Sequence, residues 1–349
     1  MRQDIDRGSV SSLESRISDL LSRISCLQSR ISCLLSRISC LQSRISSLIS
    51  PLSRLLMPEL PEIEAYIHAL RPRVVGSMLQ RVRIQSFSVL RTYDPPIEGV
   101  IDVSVDGVGR LGKRIVIHLN GDLHVVIHLM VAGRLTWLTP EAAIPRRSGL
   151  AALDFTDGTL LLAEAGSKRR ASIHLVDRSG LADLDPGGAE IADLGVDRFG
   201  GRLSRERHTL KRTLTDPSLF SGIGGAFADE ILWTARLSPT QMSTNLDPGE
   251  VARLYEAAVD TLARWTDLRI AEVGDGFPTK VTAFHPNMAV HGKYGEPCRE
   301  CGAPVQRIVH VGRETNYCAG CQTGGRILAD RALSRLLKDD RPKHLDDTL

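Results

Sequence analysis

The chain has 349 residues, 42% of them apolar and 24% charged, and a formal net charge of +3. That length predicts two or more domains with ample core, and the 4% aromatic content makes the core mostly aliphatic. No apolar run approaches 18 residues, so no membrane-spanning helix is expected, and the polar first 14 residues do not read as a secretory signal. A bacterial-type cytoplasmic protein, acting if anywhere at the nucleoid, is the resulting expectation. The positive charge is local: residues 1–56 carry +4 and the rest −1. Overall charge therefore gives no warrant for nucleic-acid binding, which must rest on particular clusters.

Residues 1–56 are a low-complexity leader. Ser-Arg-Ile-Ser-x-Leu-x occurs five times between Ser15 and Leu48, placing Ile and Leu alternately every three and four residues. That is a heptad seam, which could self-associate as a coiled coil. The near-identical units and the Ser/Arg outer positions without Glu/Lys pairing favour a translated tandem repeat instead. Pro51 ends the pattern. Met57-Pro58-Glu59-Leu60-Pro61-Glu62 then reads like the start of a protein, and the expectation is that Met57 is the true start and the leader an over-extension.

Beyond Met57 the fold class expected is α+β. Ile63–Leu70 has a helical pattern. Short strands follow at Arg81–Ile84, Val100–Val105, Arg114–Leu119, Leu123–His128, Arg134–Leu138, Leu153–Phe155, Thr159–Ala163 and Ser172–Val176. Turns such as Asn120-Gly121-Asp122 separate them, and many short strands with short turns predict a sandwich or barrel over 57–187. Residues 188–283 read as helical, with segments at Leu203–Leu214, Ala226–Ala235 and Pro248–Thr266. Residues 284–325 form a Gly-, Pro- and Cys-rich module, and 326–349 a short helix, Ile327–Leu337, with a polar tail.

Three constellations carry chemistry. Cys298-x2-Cys301-x16-Cys318-x2-Cys321 supplies four thiolates on two tight knuckles, the donor set of one structural, tetrahedral zinc, with Gly302 and Gly320 relieving the knuckles sterically. Basic groups cluster at Gly109-Arg110-Leu111-Gly112-Lys113-Arg114 and at Lys168-Arg169-Arg170. Leu210-Lys211-Arg212 followed by Ser221-Gly222-Ile223-Gly224-Gly225 reads as helix, Gly-rich turn and helix start, whose N–H groups can hold a phosphate. Solvated faces and plain helix packing are the ordinary alternatives for these basic and Gly-rich segments.

Pro58 is the third. A terminal amine has a pKa near 7.7–8.0 against about 10.4 for Lys, so much more of it is a free nucleophile at neutral pH. A secondary amine attacking a sugar C1′ forms a cationic iminium, an electron sink that acidifies the C2′ hydrogen and permits loss of the 3′ phosphate. Proline near a helix start with Glu close behind is also ordinary helix chemistry.

Taken together, these residues resemble the formamidopyrimidine-DNA glycosylase/endonuclease VIII family of base-excision repair enzymes. The resemblance runs from Met57 to about Gln322: the N-terminal motif, the Arg-Leu-Gly-Lys turn, the Gly-Ile-Gly-x-x-x-Ala-Asp-Glu helix-two-turn-helix element and the four-Cys finger come in family order. It implies an N-terminal β-sandwich with a flanking helix, a helix-two-turn-helix domain and a zinc-finger hairpin, acting on damaged duplex DNA with the base flipped out. It implies Pro58 as Schiff-base nucleophile, Glu59 as general acid/base, Glu62 as supporting carboxylate, Lys113 in phosphate contact and β-elimination, and Arg313 in δ-elimination. Lys168, Arg169, Lys211, Gly224 and Gly225 are the implied DNA contacts. Departures are Gly225 where the family has Asn, Val131 near the wedge Met position, and no Phe beside Lys168-Arg169-Arg170. The apolar Leu150–Leu153 region also replaces a family His. The resulting expectation is a monomeric bifunctional DNA glycosylase/AP lyase. The rivals are a catalytically inactive DNA-binding protein, if Pro58 stays blocked, and a zinc-finger binding module.

Overall fold

The computed structural model describes residues 57–165, 168–279, 281, 284–310, 313–329 and 343–348. The heptad leader and most of the expected Ile327–Leu337 helix lie outside them.

Helix α1 (Leu60–Val74) is longer than its sequence pattern. Pro61 enters in the first turn, where its missing N–H costs nothing. Eight strands follow: β1 (Met78–Ile84), β2 (Val103–Leu111), β3 (Arg114–Leu119), β4 (Leu123–His128), β5 (Gly133–Leu138), β6 (Gly149–Phe155), β7 (Gly158–Glu164) and β8 (Ser172–Val176). They hydrogen-bond in the order β5-β7-β6-β1-β2-β3-β4-β8, every pair antiparallel, and fold over as a sandwich. Alternation sets the faces. In β3, Ile115, Ile117 and Leu119 enter the core with Val125 and Ile127 of β4 and Ile63, Tyr66, Ile67 and Leu70 of α1. Arg114, Val116 and His118 take the outer face. The turn after β3 uses positive φ at Gly121 and Asp122, as its sequence predicts.

Short helix α2 (Arg178–Asp183) leads into the second core, formed by α3 (Val196–Leu203), α4 (Leu210–Leu214), α5 (Gly225–Thr234) and α6 (Pro248–Val273). The single helix expected over Leu203–Leu214 is two, broken at Ser204–Thr209. Leu203 and Leu210 both enter the core, but the intervening Arg-Glu-Arg-His run supplies no apolar stripe. Helix α6 has 26 residues, about 39 Å long. It is started by Asp247, which accepts the Glu250 N–H at 2.8 Å, and packs along α1.

The finger hairpin, β9 (Val305–His310) and β10 (Arg313–Cys318), ends in the one-turn helix α7 (Ala319–Thr323). Two buried acids of α5 dock it. Glu230 accepts the N–H groups of Ala289, Val290 and His291 at 2.8–3.0 Å. Asp229, fully buried, accepts from Lys211 Nζ (2.6 Å), His291 Nδ1 (2.8 Å) and Asn316 N–H (3.1 Å).

Candidate active site and metal centre

Glu59 is the N-cap of α1, and its own N–H donates to Glu62 Oε2 at 3.0 Å. The Glu59 carboxylate crosses to the other domain. It accepts the N–H groups of Gly224 (2.8 Å), Ala226 (2.9 Å) and Phe227 (3.1 Å) at the start of α5. Those are the amides expected to receive a DNA phosphate. The anion occupying that helix N-terminus is instead Glu59, where both the orphan donors and the helix dipole favour negative charge. Gly224 is there for space: a Cβ would lie 2.3 Å from Glu59 Oε1. Gly225, next along, faces open space. The DNA-contact assignment of Gly224 is therefore corrected, while Gly225 stays free for one.

Gly222, at φ +77, closes the same junction, its carbonyl accepting the Leu60 N–H at 3.0 Å. Arg110, read as a surface cation, is the clamp beside it. Its guanidinium meets Glu64 (2.8 Å), Glu190, the Gly112 carbonyl (2.8 Å) and Ser221 Oγ (3.1 Å). That ties the sandwich, α1 and the Gly-rich turn together.

Glu62 is 2% exposed. Burial pushes its carboxyl up to about 7, against the opposing pull of Arg269, with the Glu59 charge adding to the rise. Arg269 of α6, itself buried, reaches Glu62 Oε1 at 3.3 Å and Glu272 at 2.9 Å, and Glu272 holds His285 Nε2 at 2.7 Å. Nothing in the sequence singled out Arg269, which lies 207 positions from Glu62. Glu62, Arg269, Phe277, Phe284 and His285 line a cavity of about 410 Å³. Lys113, just before β3, lies within electrostatic reach of both Glu59 and Glu62. Burial lowers its pKa and the two carboxylates pull it back up. Pro58 is buried at the head of α1. The structure thus assembles Pro58, Glu59, Glu62 and Lys113.

Other expected contacts fall elsewhere. Lys211 is correctly placed on α4, but two of its three donors are spent on Asp229 and the Glu314 carbonyl (2.6 Å each), so it fastens the finger rather than facing a phosphate. Arg313 opens β10, exposed, in a groove with Arg212 and His310. Among the described residues, no hydrogen bond or ion pair joins it to the Glu59 cluster. Lys168 and Arg169 are exposed, and Arg169 donates to the Arg147 carbonyl at 2.6 Å.

The four cysteine Sγ atoms lie within 4.8 Å of one another. Cys298–Cys321 and Cys301–Cys318 are 3.8 and 3.3 Å apart. Tetrahedral zinc with Zn–S near 2.3 Å requires S···S of about 3.8 Å, so the donor set fits one structural zinc. Gly302 takes φ +73, and a Cβ on Gly320 would lie 2.9 Å from Cys301 Sγ, so both knuckles need glycine as expected.

A carboxylate-rich helix start docked on a helix-two-turn-helix element, with a zinc finger fastened behind it, defines a DNA glycosylase of the helix-two-turn-helix type. The family model for the formamidopyrimidine-DNA glycosylase N-terminal domain matches residues 57–170, the H2TH domain of the same enzyme residues 187–269, and the zinc finger found in FPG and IleRS residues 295–324. The formamidopyrimidine-DNA glycosylase of Heliobacterium modesticaldum is 32% identical over 283 residues, and that of Herpetosiphon aurantiacus 30% over 276. Each alignment covers 76% of this chain and 100% of the relative. A solved Lactococcus lactis formamidopyrimidine DNA glycosylase, bound to DNA containing an AP site, shares the fold with TM-score 0.67 and 23% identity. It covers 76% of this chain and 99% of that one. This chain belongs to the formamidopyrimidine-DNA glycosylase family and is a DNA glycosylase of base-excision repair.

Proposed function

We propose that the chain removes oxidised or ring-opened bases from damaged duplex DNA, with the base flipped out, and then cleaves the strand as an AP lyase, acting as a monomer in the cytoplasm. The observation that supports this most is the convergence of Pro58, two buried carboxylates and Lys113 at the head of α1.

The Pro58 nitrogen lone pair forms a bond to C1′ while the C1′–base bond breaks, and the departing base takes a proton. Glu62, with its carboxyl near 7, still carries a proton over the range below neutrality and sits on the helix that Pro58 leads into. Glu59, pinned by three N–H groups, offers a fixed negative charge beside the developing cation. Loss of a C2′ proton then expels the 3′ phosphate, and Lys113, its pKa lowered by burial, is the residue we assign to take that proton. Arg313 is the candidate for the second elimination, brought up when DNA fills the groove it lines.

While Met57 precedes it, the Pro58 nitrogen is an amide without a usable lone pair. The Schiff-base step therefore needs Pro58 exposed as a chain's first residue. Borohydride trapping on abasic-site DNA tests this. Protein beginning at Pro58 is expected to form a covalent adduct, its Pro58→Gly variant far less, and the 349-residue form none. No adduct from the Pro58-first protein would overturn the assignment. Intact mass of the protein from its native cell shows which form exists.

A further inference from the structure

The chain has only 15 aromatic residues of the Phe, Trp and Tyr types, and two of them stand almost fully exposed in one loop. Phe87 and Tyr93 are 88% and 90% exposed, far above any other large apolar side chain among the described residues. Single exposed apolar residues are ordinary. Two scarce aromatic rings flanking a loop that is itself well anchored are not. Between them Val89 is buried in the sandwich core and Leu90 packs against it. Arg91 N–H donates to Ile173 O (3.0 Å), and Thr92 Oγ1 accepts the Leu175 N–H (2.7 Å). Gln85 Nε2 holds the carbonyls of Pro145 and Arg146 at 3.1 and 3.2 Å. The rings are thus carried on a fixed loop.

The same bonds bring three loops together. Arg146 and Arg147 come from the 139–148 loop between β5 and β6, and Lys168, Arg169 and Arg170 precede β8, joined by the Arg169–Arg147 contact. With Arg91, six exposed cations lie on the loops that these bonds join to the two rings, against Asp94, Glu98, Asp102 and Glu141 as the exposed acids of the same loops. The patch sits at the end of the sheet that carries Lys113. Arg114 is paired with His128, His128 with Ser172, and Leu90 bridges Ile173.

We propose that this surface binds unpaired DNA, with Phe87 and Tyr93 stacking on bases of a single-stranded stretch flanking the lesion and the six cations holding its phosphates. Aromatic faces among cations suit this occupant. A duplex offers phosphates but keeps its base faces covered, whereas a single strand presents both. A purely acidic protein partner would use the cations and leave the rings idle. The assignment rests on the glycosylase reading and extends it to substrate form: lesions in single-stranded or bubble DNA are taken in addition to duplex.

Binding of the 349-residue protein to a tetrahydrofuran abasic analogue tests it without needing the Pro58 amine. The analogue is placed in a duplex, in a bubble and in a single strand, with 2-aminopurine beside it. The Phe87→Ala/Tyr93→Ala variant is expected to lose affinity for single strand and bubble by about tenfold or more per ring. It should change duplex affinity less than threefold and lose the 2-aminopurine quenching shown by the parent. Arg146→Gln/Arg147→Gln should flatten the salt dependence on single strands by about 0.7 per phosphate contact removed. Both rings are exposed, so the variants should keep the parent melting temperature, which is measured alongside. Equal losses on all three DNAs, or no loss on single strand, overturn the surface assignment while leaving the glycosylase reading intact. A parent protein that binds none of the three overturns both.

Discussion

Replacing Gly224 with Ala adds a single methyl group at a point where the structure leaves no space. Gly224 has φ −122 and ψ −164, extended backbone that Ala adopts readily, so the effect is steric rather than conformational. The new Cβ would lie 2.3 Å from Glu59 Oε1 and 2.4 Å from its Cδ. The carboxylate must swing away and give up three N–H bonds, each worth about 1.5–3 kcal/mol for a charged acceptor. Keeping one of them through a shifted rotamer, the net loss is about 3 kcal/mol, or roughly a hundredfold in single-turnover base excision. Gly225→Ala is the matched control, since nothing lies within 4 Å of its Cβ, and should be near neutral. A cycle with Glu59→Gln sharpens the test: once Glu59 is altered, Gly224→Ala should cost much less. Measurement is by gel assay of excision on Pro58-first protein, with the melting temperature followed in parallel. If Gly224→Ala and Gly225→Ala behave alike, or the two changes at Gly224 and Glu59 simply add, the carboxylate is not held by α5.

Three further expectations follow from the same contacts. Glu62 has its pKa raised in the fold, so it favours folding while protonated and that contribution is lost as pH climbs from about 4.5 through 7. The full loss is roughly 3 kcal/mol, and denaturant unfolding at pH 5 and pH 8 should show it in the parent but not in Glu62→Gln. The same variant should lose an excision-rate limb centred near pH 7. Lys211→Met leaves Asp229 buried with His291 and Asn316 alone, so it should destabilise the fold by about 3 kcal/mol while leaving the salt slope of duplex binding unchanged; a changed slope with an unchanged melting temperature would restore the phosphate role. Chelator, or Cys301→Ser, should unfold the finger and loosen its docking on Asp229 and Glu230, read as accelerated amide exchange over β9 and β10. Unaltered exchange would argue against a structural zinc.

Much of this was legible in the order of residues because the signals are local. Alternation in β3 and β4, the turn at Asn120–Asp122, the two cysteine pairs with their glycines and the acidic head of α1 each depend on neighbours a few positions away. Those patterns fix strands, knuckles and a helix start whatever the rest of the chain does. Partners distant in sequence decided the remainder. The N-terminus of α5 looked like a phosphate cradle, and only the packing of α1 against it shows that Glu59, 165 positions earlier, already supplies the anion. Lys211 looked like a free cation until Asp229 and the finger backbone were seen to enclose it. Arg110 looked solvated and is a clamp, and Arg269 carried no signal at all until α6 was laid along α1. A charged side chain's role is set by what lies within a few ångströms of it. Sequence fixes which charge it carries and on which element, whereas the docking of one domain on another fixes its partner.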